Sequence, residues 1–228
     1  MTKTEVMREL KAAGTAQNRK VARRHGVRGD MFGASYAVIG KLQKKIKVDQ
    51  PLAEQLWATA NHDARYLATM IADPKAMRVT TLNVWVRGVD NRHLAGAVSN
   101  VAAELPSAKK LMEKWIASKN EMLGCAGWHT LASLAREDND LSDTYFEKHV
   151  KRIESKIHKS DNWVKYAMNN ALINIGVRNR KLEQKAVAAA KRIGKIDVDH
   201  GETGCKTPDA ASYIKKTVAY KKEKAKKR

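Results

Sequence analysis

Aromatic, basic and amide side chains share one stretch of the sequence, residues 162–178, at the spacing of a single helix face. Three of them recur at intervals of three and four residues, and two more lie on a neighbouring stripe. Because rings stack on bases while cations and amides contact phosphates, this face predicts a nucleic-acid surface. The alternative, which is favoured for the two rings because buried aromatic residues are commoner, is that they are core residues and the amides face solvent. The side chains are Trp163, Lys165, Tyr166, Asn169 and Asn170.

Asparagine is a poor helix former, so the pair Asn169 and Asn170 in the middle of this helix favours a specific polar contact. Polar and aromatic side chains also stand near the expected starts of other helices, where a purely structural helix would not need them. We predict that they complete one DNA-binding surface. These further residues are Asn91, Arg92, His93, Trp128, His129 and Arg178.

A second group of reactive residue types, Asp197–Cys205, gathers two Asp, a His, a Glu and a Cys. Metal ligands are drawn from these types, but the spacing matches no zinc or calcium motif. Gly201 and Gly204 are typical of a turn, and Thr207 followed by Pro208 predicts the cap and first residue of a C-terminal helix. The sequence therefore favours a structured turn, and we expect neither a metal nor a cofactor.

The thiols and the remaining histidines offer little chemistry by themselves. Cys125 lies between Gly124 and Ala126, which predicts a buried, inert thiol in a closely packed helix. Its distance from Cys205 in the sequence gives no disulfide framework. His25 and the histidine at position 129 could act as bases, but no nucleophile accompanies them in the sequence.

The chain is strongly basic, with 44 Lys and Arg against 24 Asp and Glu in 228 residues, a net charge of +20. Residues 215–228 hold eight basic residues and one Glu, which leaves +13 on residues 1–214. A basic folded body predicts a polyanionic partner, with nucleic acid ahead of a membrane surface. No apolar run is long enough for a membrane span or a secretory signal. We expect a soluble cytoplasmic protein that is associated with the nucleoid when it is bound to DNA.

Apolar residues recur at helical spacing throughout the sequence, whereas period-two alternation is scarce. This pattern predicts an all-α fold of about ten to twelve helices. The stripes comprise Leu52, Leu56 and Trp57; Tyr66, Leu67, Met70 and Ile71; Val150, Ile153 and Ile157; and Ala186, Ala190 and Ile193.

Asparagines mark a repeat, because Asn61, Asn91, Asn120 and Asn162 each follow one helical pattern and precede another. Asn is favoured there because its side-chain oxygen caps the next helix. Their spacings match helix–turn–helix units and approach those of HEAT-type repeats. We predict an α-solenoid of HEAT-like helix pairs with a concave basic face. We expect a monomer with a single domain over residues 1–214 and a flexible basic tail over 215–228.

The chain resembles the DNA alkylation repair family, HEAT-like-repeat alkylpurine DNA glycosylases and their non-catalytic relatives. The resemblance extends from about Arg8 to Arg192. The motifs that carry it are Ala22–Gly26, Met31–Gly33, Leu56–Trp57, Asn61–Arg65, Lys114–Asn120 and Ala167–Leu172.

The resemblance implies an α-solenoid with DNA in a basic concave cleft and excision of purines alkylated at ring nitrogens. Family members use tryptophans against the damaged nucleotide, an aspartate that stabilises the sugar cation and an arginine on the backbone. Matched motif by motif, those positions fall on Asn91, Ala95, Cys125 and Asn170. Asp63 or Asp90 could substitute only in a shifted register, and each residue of shift rotates a side chain by about 100°.

Three functions follow from these observations. The first is a DNA-binding solenoid that recognises duplex, distorted or branched DNA without the usual glycosylase residues. The second is an active glycosylase with a variant site, and the third is a protein-binding scaffold with an acidic partner. The first two are favoured, and replacement of Lys165 and Arg178 is expected to lower DNA affinity without unfolding the protein.

Overall fold

The computed structural model describes residues 1–137 and 140–226, and this part of the chain is helical without a strand. The all-α class is therefore confirmed, although the described residues form 13 α-helices and a short 3-10 helix rather than ten to twelve helices. The N-terminal part of the chain alone contains four short helices of 8 to 11 residues. The helices are α1 (Lys3–Ala12), α2 (Ala16–Arg24), α3 (Tyr36–Ile46), α4 (Gln50–Trp57), α5 (His62–Ile71), α6 (Val79–Arg87), α7 (Arg92–Ala103), α8 (Ala108–Ile116), α9 (Glu121–Glu137), α10 (Asp143–Lys156), the 3-10 helix (Ile157–Lys159), α11 (Asn162–Gly176), α12 (Arg180–Ile193) and α13 (Ala210–Lys226).

The chain forms two compact units. The first unit comprises Met1–Ala108 and His200–Gly204, and the second comprises the described parts of Lys109–Asp199 and Cys205–Arg228. The boundary expected after residue 214 lies inside α13, while Lys227 and Arg228 lie outside the described residues. The single domain over 1–214 and the flexibility of the tail stay predictions.

Two stacked tryptophans form the centre of the first unit. The rings of Trp57 and Trp85 are 4.5 Å apart and within 6° of parallel. Arg65 of α5 covers the first of them, with its guanidinium carbon 5.0 Å from the ring centre. The same guanidinium donates to the carbonyl oxygens of Trp57 at 3.2 Å and Gly88 at 3.0 Å. Arg65 therefore joins α5 to the C-terminal ends of α4 and α6.

The core of the second unit is built on the packing of α9 against α11. Cys125 is fully buried there, as the small residues around it predicted. A side chain at Gly127 would meet the backbone nitrogen of Ile116 at 2.7 Å, so α8 and α9 can approach each other only where a residue has no Cβ. Phe146 of α10 fills the interior from another side.

Asparagine caps three of the four expected helix starts. The side chains of Asn61, Asn91 and Asn120 each accept a hydrogen bond from a backbone N–H in the first turn of the following helix. The prediction for Asn162 is wrong, because Asp161 precedes the helix as its N-cap residue. The Asn162 amide instead bonds the backbone of Asp199 at 2.7 and 2.8 Å.

The apolar stripes lie inward with one clear exception. The residues of α4, α10, the 3-10 helix and α12 that the spacing predicted are buried. On α5, Leu67 and Ile71 are buried, but Met70 is 38% exposed. A period of three and four residues locates a stripe without fixing its width, so a residue at its margin can face solvent.

Helix α13 begins later than the sequence indicated. Its N-cap is Asp209, whose carboxylate accepts from Ser212 N–H at 2.8 Å, so Thr207 is not the cap and Pro208 precedes the helix. Aspartate is a strong capping residue at this position. The buried side chain of Ile214 then packs beside Gly176 of α11 and Ala186 of α12.

We expect Gly176→Ala to lower the free energy of unfolding by about 1–3 kcal/mol, as overpacking in a filled core does. The added methyl group would lie 2.6 Å from Ile214 Cδ1 and 2.9 Å from Ala186 Cβ. Gly40→Ala in α3 is the control, because nothing lies within 4 Å of its added methyl group. The control should stabilise by about 0.5–1 kcal/mol through helix propensity. Urea denaturation measures both, and equal effects would contradict the packing of α13.

Candidate nucleic-acid interface

The structure brings four of the predicted DNA-binding side chains together on the second unit. Asn170 Nδ2 lies 3.2 Å from Nδ1 of His129, which is on α9. The His129 ring is 6.4 Å from the ring of Tyr166, and that ring is 6.1 Å from Trp163. All four are half-buried, as is Lys165 in the same turn of α11. We call Trp163, Tyr166, Asn170 and His129 the α9–α11 face, and Lys165 borders it from the neighbouring stripe of α11.

The α9–α11 face is held in place by a chain of polar contacts. Asn174 donates to the backbone and side-chain oxygens of Asn170 at 2.8 and 3.2 Å. The Asn170 amide nitrogen is therefore the donor toward His129 Nδ1, which leaves the proton of the neutral imidazole on Nε2. The backbone N–H of Trp163 donates to Glu121 Oε1 at 2.7 Å, and this hydrogen bond joins the first turns of α11 and α9. The predicted polar contact of Asn170 is confirmed.

Trp128 and Asn169 lie in the interior of the second unit. Trp128 is 2% exposed, its ring meets His149 edge-on at 6.1 Å, and the Arg152 guanidinium lies 5.8 Å from its centre. Asn169 is equally buried and donates to the carbonyl of Pro208 at 2.9 Å. The polar contact predicted for Asn169 is confirmed, and it fastens the segment before α13 to α11. A DNA contact by either side chain stays a prediction.

Arg178 stabilises the fold of the second unit through hydrogen bonds to the backbone. Its guanidinium donates to the carbonyls of Ala135 at 3.1 Å and Leu141 at 3.2 Å. It also lies 4.7 Å from the ring centre of Phe146. Because hydrogen bonds from charged groups to buried carbonyls stabilise a fold, replacing Arg178 would disturb the second unit as well as any DNA contact.

The remaining predicted residues belong to the first unit. Asn91 is buried, caps α7, and donates to Asp90 Oδ1 at 2.7 Å. Ala95 is fully buried. Half-buried Arg92 and His93 begin the same helix, and the His93 ring meets the His25 ring edge-on at 5.5 Å. Asn91 thus has a capping role, while His93 borders a cavity.

This cavity, of about 270 Å³, is a feature of the first unit that sequence reasoning missed. It is partly open to solvent, and it combines aromatic, apolar and amide side chains from α2, α3, α5 and α7. The spacing of histidines in the sequence gave no sign of it, because its walls come from four separate elements. Its wall includes Asn18, Val21, His25, Tyr36, Asp63 and His93.

The shape of the cavity depends on the loop that contains Met31–Gly33. Asp63 Oδ2 accepts from the backbone N–H groups of Phe32 and Gly33 at 2.8 Å each and of Ala34 at 3.4 Å. Gly33 has φ +82°, and a Cβ there would lie 2.7 Å from the Thr15 carbonyl oxygen. Glycine is needed at this position because an L side chain is strained in that conformation and the space is already filled.

Helix α2 holds the carbonyl side of the same loop. Asn18 donates to the Gly33 carbonyl at 3.0 Å, and Arg19 donates to the Phe32 carbonyl at 2.9 Å. Asp90 Oδ2 accepts from Gly29 N–H at 3.1 Å. The loop is therefore fixed from both sides.

Three rings that line the cavity, those of His25, His62 and Tyr36, have pKa values shifted toward their uncharged forms. Burial lowers the pKa of His25, and the positive charges of Arg92 and Arg24 lower it further. Burial also lowers the pKa of His62. Partial burial, reinforced by Tyr66 and Asp63, raises the pKa of Tyr36 to about 12. These shifts favour neutral imidazole and phenol rings at these three positions of the wall.

Neither a metal cluster nor a membrane segment is visible in residues 1–137 and 140–226. No three His, Cys, Asp or Glu side chains of that part of the chain are grouped to hold a metal ion. None of its helices combines the length and the apolar character of a transmembrane span.

Comparison with known proteins identifies the family. A family model described as DNA alkylation repair enzyme matches residues 6–216. The chain belongs to the DNA alkylation repair family. The resemblance of the motifs is thereby confirmed.

Three similar proteins match almost the whole chain. A solved structure, described as a new family of proteins related to the HEAT-like repeat DNA glycosylases with affinity for branched DNA structures, is 32% identical. It superposes with a TM-score of 0.88 and covers 97% of this chain and 95% of its own. Uncharacterised proteins of Listeria innocua and Listeria monocytogenes are each 27% identical over 214 residues, 91% of this chain and 93% of theirs. The HEAT-like repeat fold predicted from the sequence is confirmed, while its basic concave face stays a prediction.

We expect Asp63→Ala to lower the free energy of unfolding by about 3 kcal/mol, because three backbone donors lose a charged acceptor. Asp63 is only 3% exposed, so water cannot readily replace it. Asp30→Ala is the matched control in the same loop, since the side chain of Asp30 is exposed. The control should stay within about 0.5 kcal/mol of the wild type. If both variants unfold at the same urea concentration, Asp63 does not hold the loop.

The buried His149 makes stability depend on pH. Burial, with help from Arg152, lowers its pKa from 6.5 to about 4. As the pH falls below 6.5, the unfolded chain takes up a proton that the folded chain refuses until about pH 4. The His149 contribution is thus complete above pH 6.5 and is lost between 6.5 and about 4, by up to about 1.4 kcal/mol per pH unit. Measured by urea denaturation, the free energy of unfolding of His149→Gln should fall less steeply than that of the wild type over this pH range. Parallel plots of unfolding free energy against pH for the two proteins would disprove the role of His149.

Proposed function

We propose that this chain is a DNA-binding member of the DNA alkylation repair family that prefers branched or distorted DNA to linear duplex and lacks the usual glycosylase chemistry. One observation carries the proposal: the chain is 32% identical, over 97% of its length, to a protein with affinity for branched DNA structures. Such a likeness over the whole chain supports a shared kind of ligand more strongly than a shared fold alone.

The distribution of charge supports a polyanionic ligand. The first unit holds 17 Lys and Arg against 10 Asp and Glu, and the second holds 27 against 14. Both units are therefore basic, so each can contact phosphates. A protein-binding scaffold is disfavoured because a single acidic partner would have to match an excess of positive charge on both.

The α9–α11 face supports a DNA contact in the second unit. Its half-buried rings can lie against sugars or exposed bases, and Lys165 can approach a phosphate. His129 and Asn170 are fixed by hydrogen bonds, so little side-chain entropy would be lost on binding. The concave basic cleft itself remains part of the proposal.

The positions matched to the family's catalytic residues support loss of the usual chemistry. They fall on Asn91, Ala95, Cys125 and Asn170, and the first three are buried. None supplies a carboxylate or a guanidinium, and loss of one electrostatic stabiliser typically costs about 10²–10³ in rate.

The two carboxylates that a shifted register could supply already have hydrogen-bond partners. Asp63 accepts three loop N–H groups, and Asp90 accepts from Gly29 and from the Asn91 amide. An aspartate whose lone pairs are used in this way is a poor stabiliser of a sugar cation.

An active glycosylase with a variant site is the second candidate. The description of the matching family model as DNA alkylation repair enzyme favours it. Purines alkylated at N3 or N7 are labile, so binding and one placed water could release them.

For either candidate function, the proposed protein is a cytoplasmic monomer that is associated with the nucleoid when it is bound to DNA.

The test compares binding of the full chain to a four-way junction and to a linear duplex of equal length. We expect the junction to bind about tenfold tighter or more, the free energy of one or two further charge-assisted contacts. Affinity should fall steeply with salt, with a slope of about −0.9 per phosphate neutralised. Equal affinity for both DNAs, or a slope near zero, would overturn the proposal.

Two charge-reversal variants locate the contact. Lys165→Glu should weaken junction binding by roughly tenfold and reduce the salt slope by about 1. Lys191→Glu on α12 makes the same change in net charge at an exposed position of the second unit, and serves as the control. If both lower affinity equally, the α9–α11 face is not the contact surface.

Base release separates the two candidates in the same protein sample. Methylated duplex DNA is incubated with excess protein, and free 3-methyladenine and 7-methylguanine are measured against a protein-free depurination control. Release at the control rate is expected. Faster release would establish the glycosylase and direct attention to Asp90, Asn91, Cys125 and Asn170.

A further inference from the structure

The cavity of the first unit has the dimensions of a site for one planar ring. Its volume of about 270 Å³ is just below the roughly 300–1,000 Å³ of pockets for drug-sized ligands. Apolar groups from Val21, Ala22 and Val27 alternate with polar groups from Asn18 and Ser35 along its wall. This mixture suits a flat heteroaromatic ring, which presents two apolar faces and a polar edge.

An exposed tyrosine stands at the edge of this cavity. Tyr36 is 54% exposed, so part of its ring is open to solvent while the rest lies against the protein. Its ring packs against the ring of Tyr66 at an angle of 55°, with centroids 4.7 Å apart. A ring that is held in place yet open to solvent is a preformed stacking surface, since bases stack on aromatic side chains at little cost in conformational entropy.

The surroundings of the cavity favour an anionic strand. Arg24 and Arg92 directly precede His25 and His93, which line the cavity, and the two positive charges lower the pKa of His25. Asp63, the carboxylate in the wall, faces the three N–H groups of the loop. A ligand that carries phosphates on both sides of its ring would therefore meet positive charge at the rim and neutral rings inside.

We propose that this cavity receives one unpaired nucleobase of bound DNA, which stacks on Tyr36 beside His25 and His93 while Arg24 contacts an adjacent phosphate. The inference rests on the proposed binding of branched or distorted DNA, and it names the feature of such DNA that the first unit recognises. Bases at branch points and bulges are already unstacked, so they enter a pocket at a lower energetic cost than paired bases.

The cavity and the positive charge beside it together distinguish an unpaired base from other ligands. Paired duplex offers no single ring that can enter a pocket, so contacts to its backbone would leave the cavity empty. A free uncharged small molecule would need no positive charge beside the cavity. An unpaired base in a DNA strand uses both the cavity and the positive charge, because its ring fits the interior and the phosphates on either side of it reach the rim.

The test uses the full chain and two DNA duplexes that differ in one nucleotide. One carries a single unpaired 2-aminopurine as a bulge, and the other carries 2-aminopurine paired with thymine. We expect Tyr36→Ala to weaken binding of the bulged duplex by about tenfold, as the loss of one base–aromatic stack does, and to leave the paired duplex within about twofold. Wild-type protein should quench the fluorescence of the unpaired base, and Tyr36→Ala should not.

Tyr213→Ala is the matched control, because Tyr213 of α13 is 51% exposed and belongs to the second unit. Tyr213→Ala should leave the ratio of the affinity for the bulged duplex to the affinity for the paired duplex unchanged. Ala22→Leu is a second variant, in which a larger side chain occupies the cavity while Tyr36 is retained. It should lower the same ratio about tenfold, with thermal unfolding used to show that each variant is folded.

The outcomes separate this inference from the proposed function. If wild-type protein binds the junction and Tyr36→Ala and Ala22→Leu leave the ratio unchanged, the nucleobase site is wrong and DNA binding stands. If these variants weaken bulged and paired duplexes equally, Tyr36 contacts the backbone and the site is again wrong. If wild-type protein binds none of the DNAs at low salt, both proposals are overturned.

Discussion

The carboxylate of Asp63 and the backbone that it binds determine how the first unit is organised. One oxygen accepts N–H groups from Phe32, Gly33 and Ala34, in a loop that makes no helix of its own. A backbone donor buried without an acceptor costs about 1–3 kcal/mol, so the aspartate stabilises the loop in this conformation. The loop in turn supplies part of the cavity wall and leads into α3, whose first residue is Tyr36. A buried acid thus has a clear structural role, although acids are the residues one would first suspect of catalysis.

The second unit uses buried polar groups in the same way. Asn169 fastens the segment before α13, Arg178 satisfies two carbonyls near the end of α9, and Trp128 packs on His149. Residue types that are common in nucleic-acid interfaces are therefore used here to join helices. Only the rings and amides on the solvent side of α9 and α11 retain the character of a binding surface. The proposed DNA contact is correspondingly smaller than the set of residues that the sequence suggested.

A DNA-binding protein built from paired helices faces one electrostatic conflict. A high net charge attracts phosphates but repels itself in the folded state. In this chain several cations are joined to carboxylates across neighbouring helices, as Lys181 and Lys185 are to Glu147 and Arg192 is to Glu154. Such exposed pairs contribute little stability individually, but they leave other lysines, including Lys165, available to a polyanion.

The sequence by itself determined the all-α class, the family, the asparagine caps at three helix starts and the buried position of Cys125. These follow from local rules, because helical periodicity, capping and the need for small residues act over a few neighbouring positions. It did not determine that Asn162 bonds Asp199, that Asp209 rather than Thr207 caps α13, or that Arg178 serves two carbonyls. It gave no sign of the cavity beside His25, Tyr36 and His93. Those features join residues that are tens of positions apart, and only the packing of helices decides which distant groups meet and which side chains are left open to a ligand.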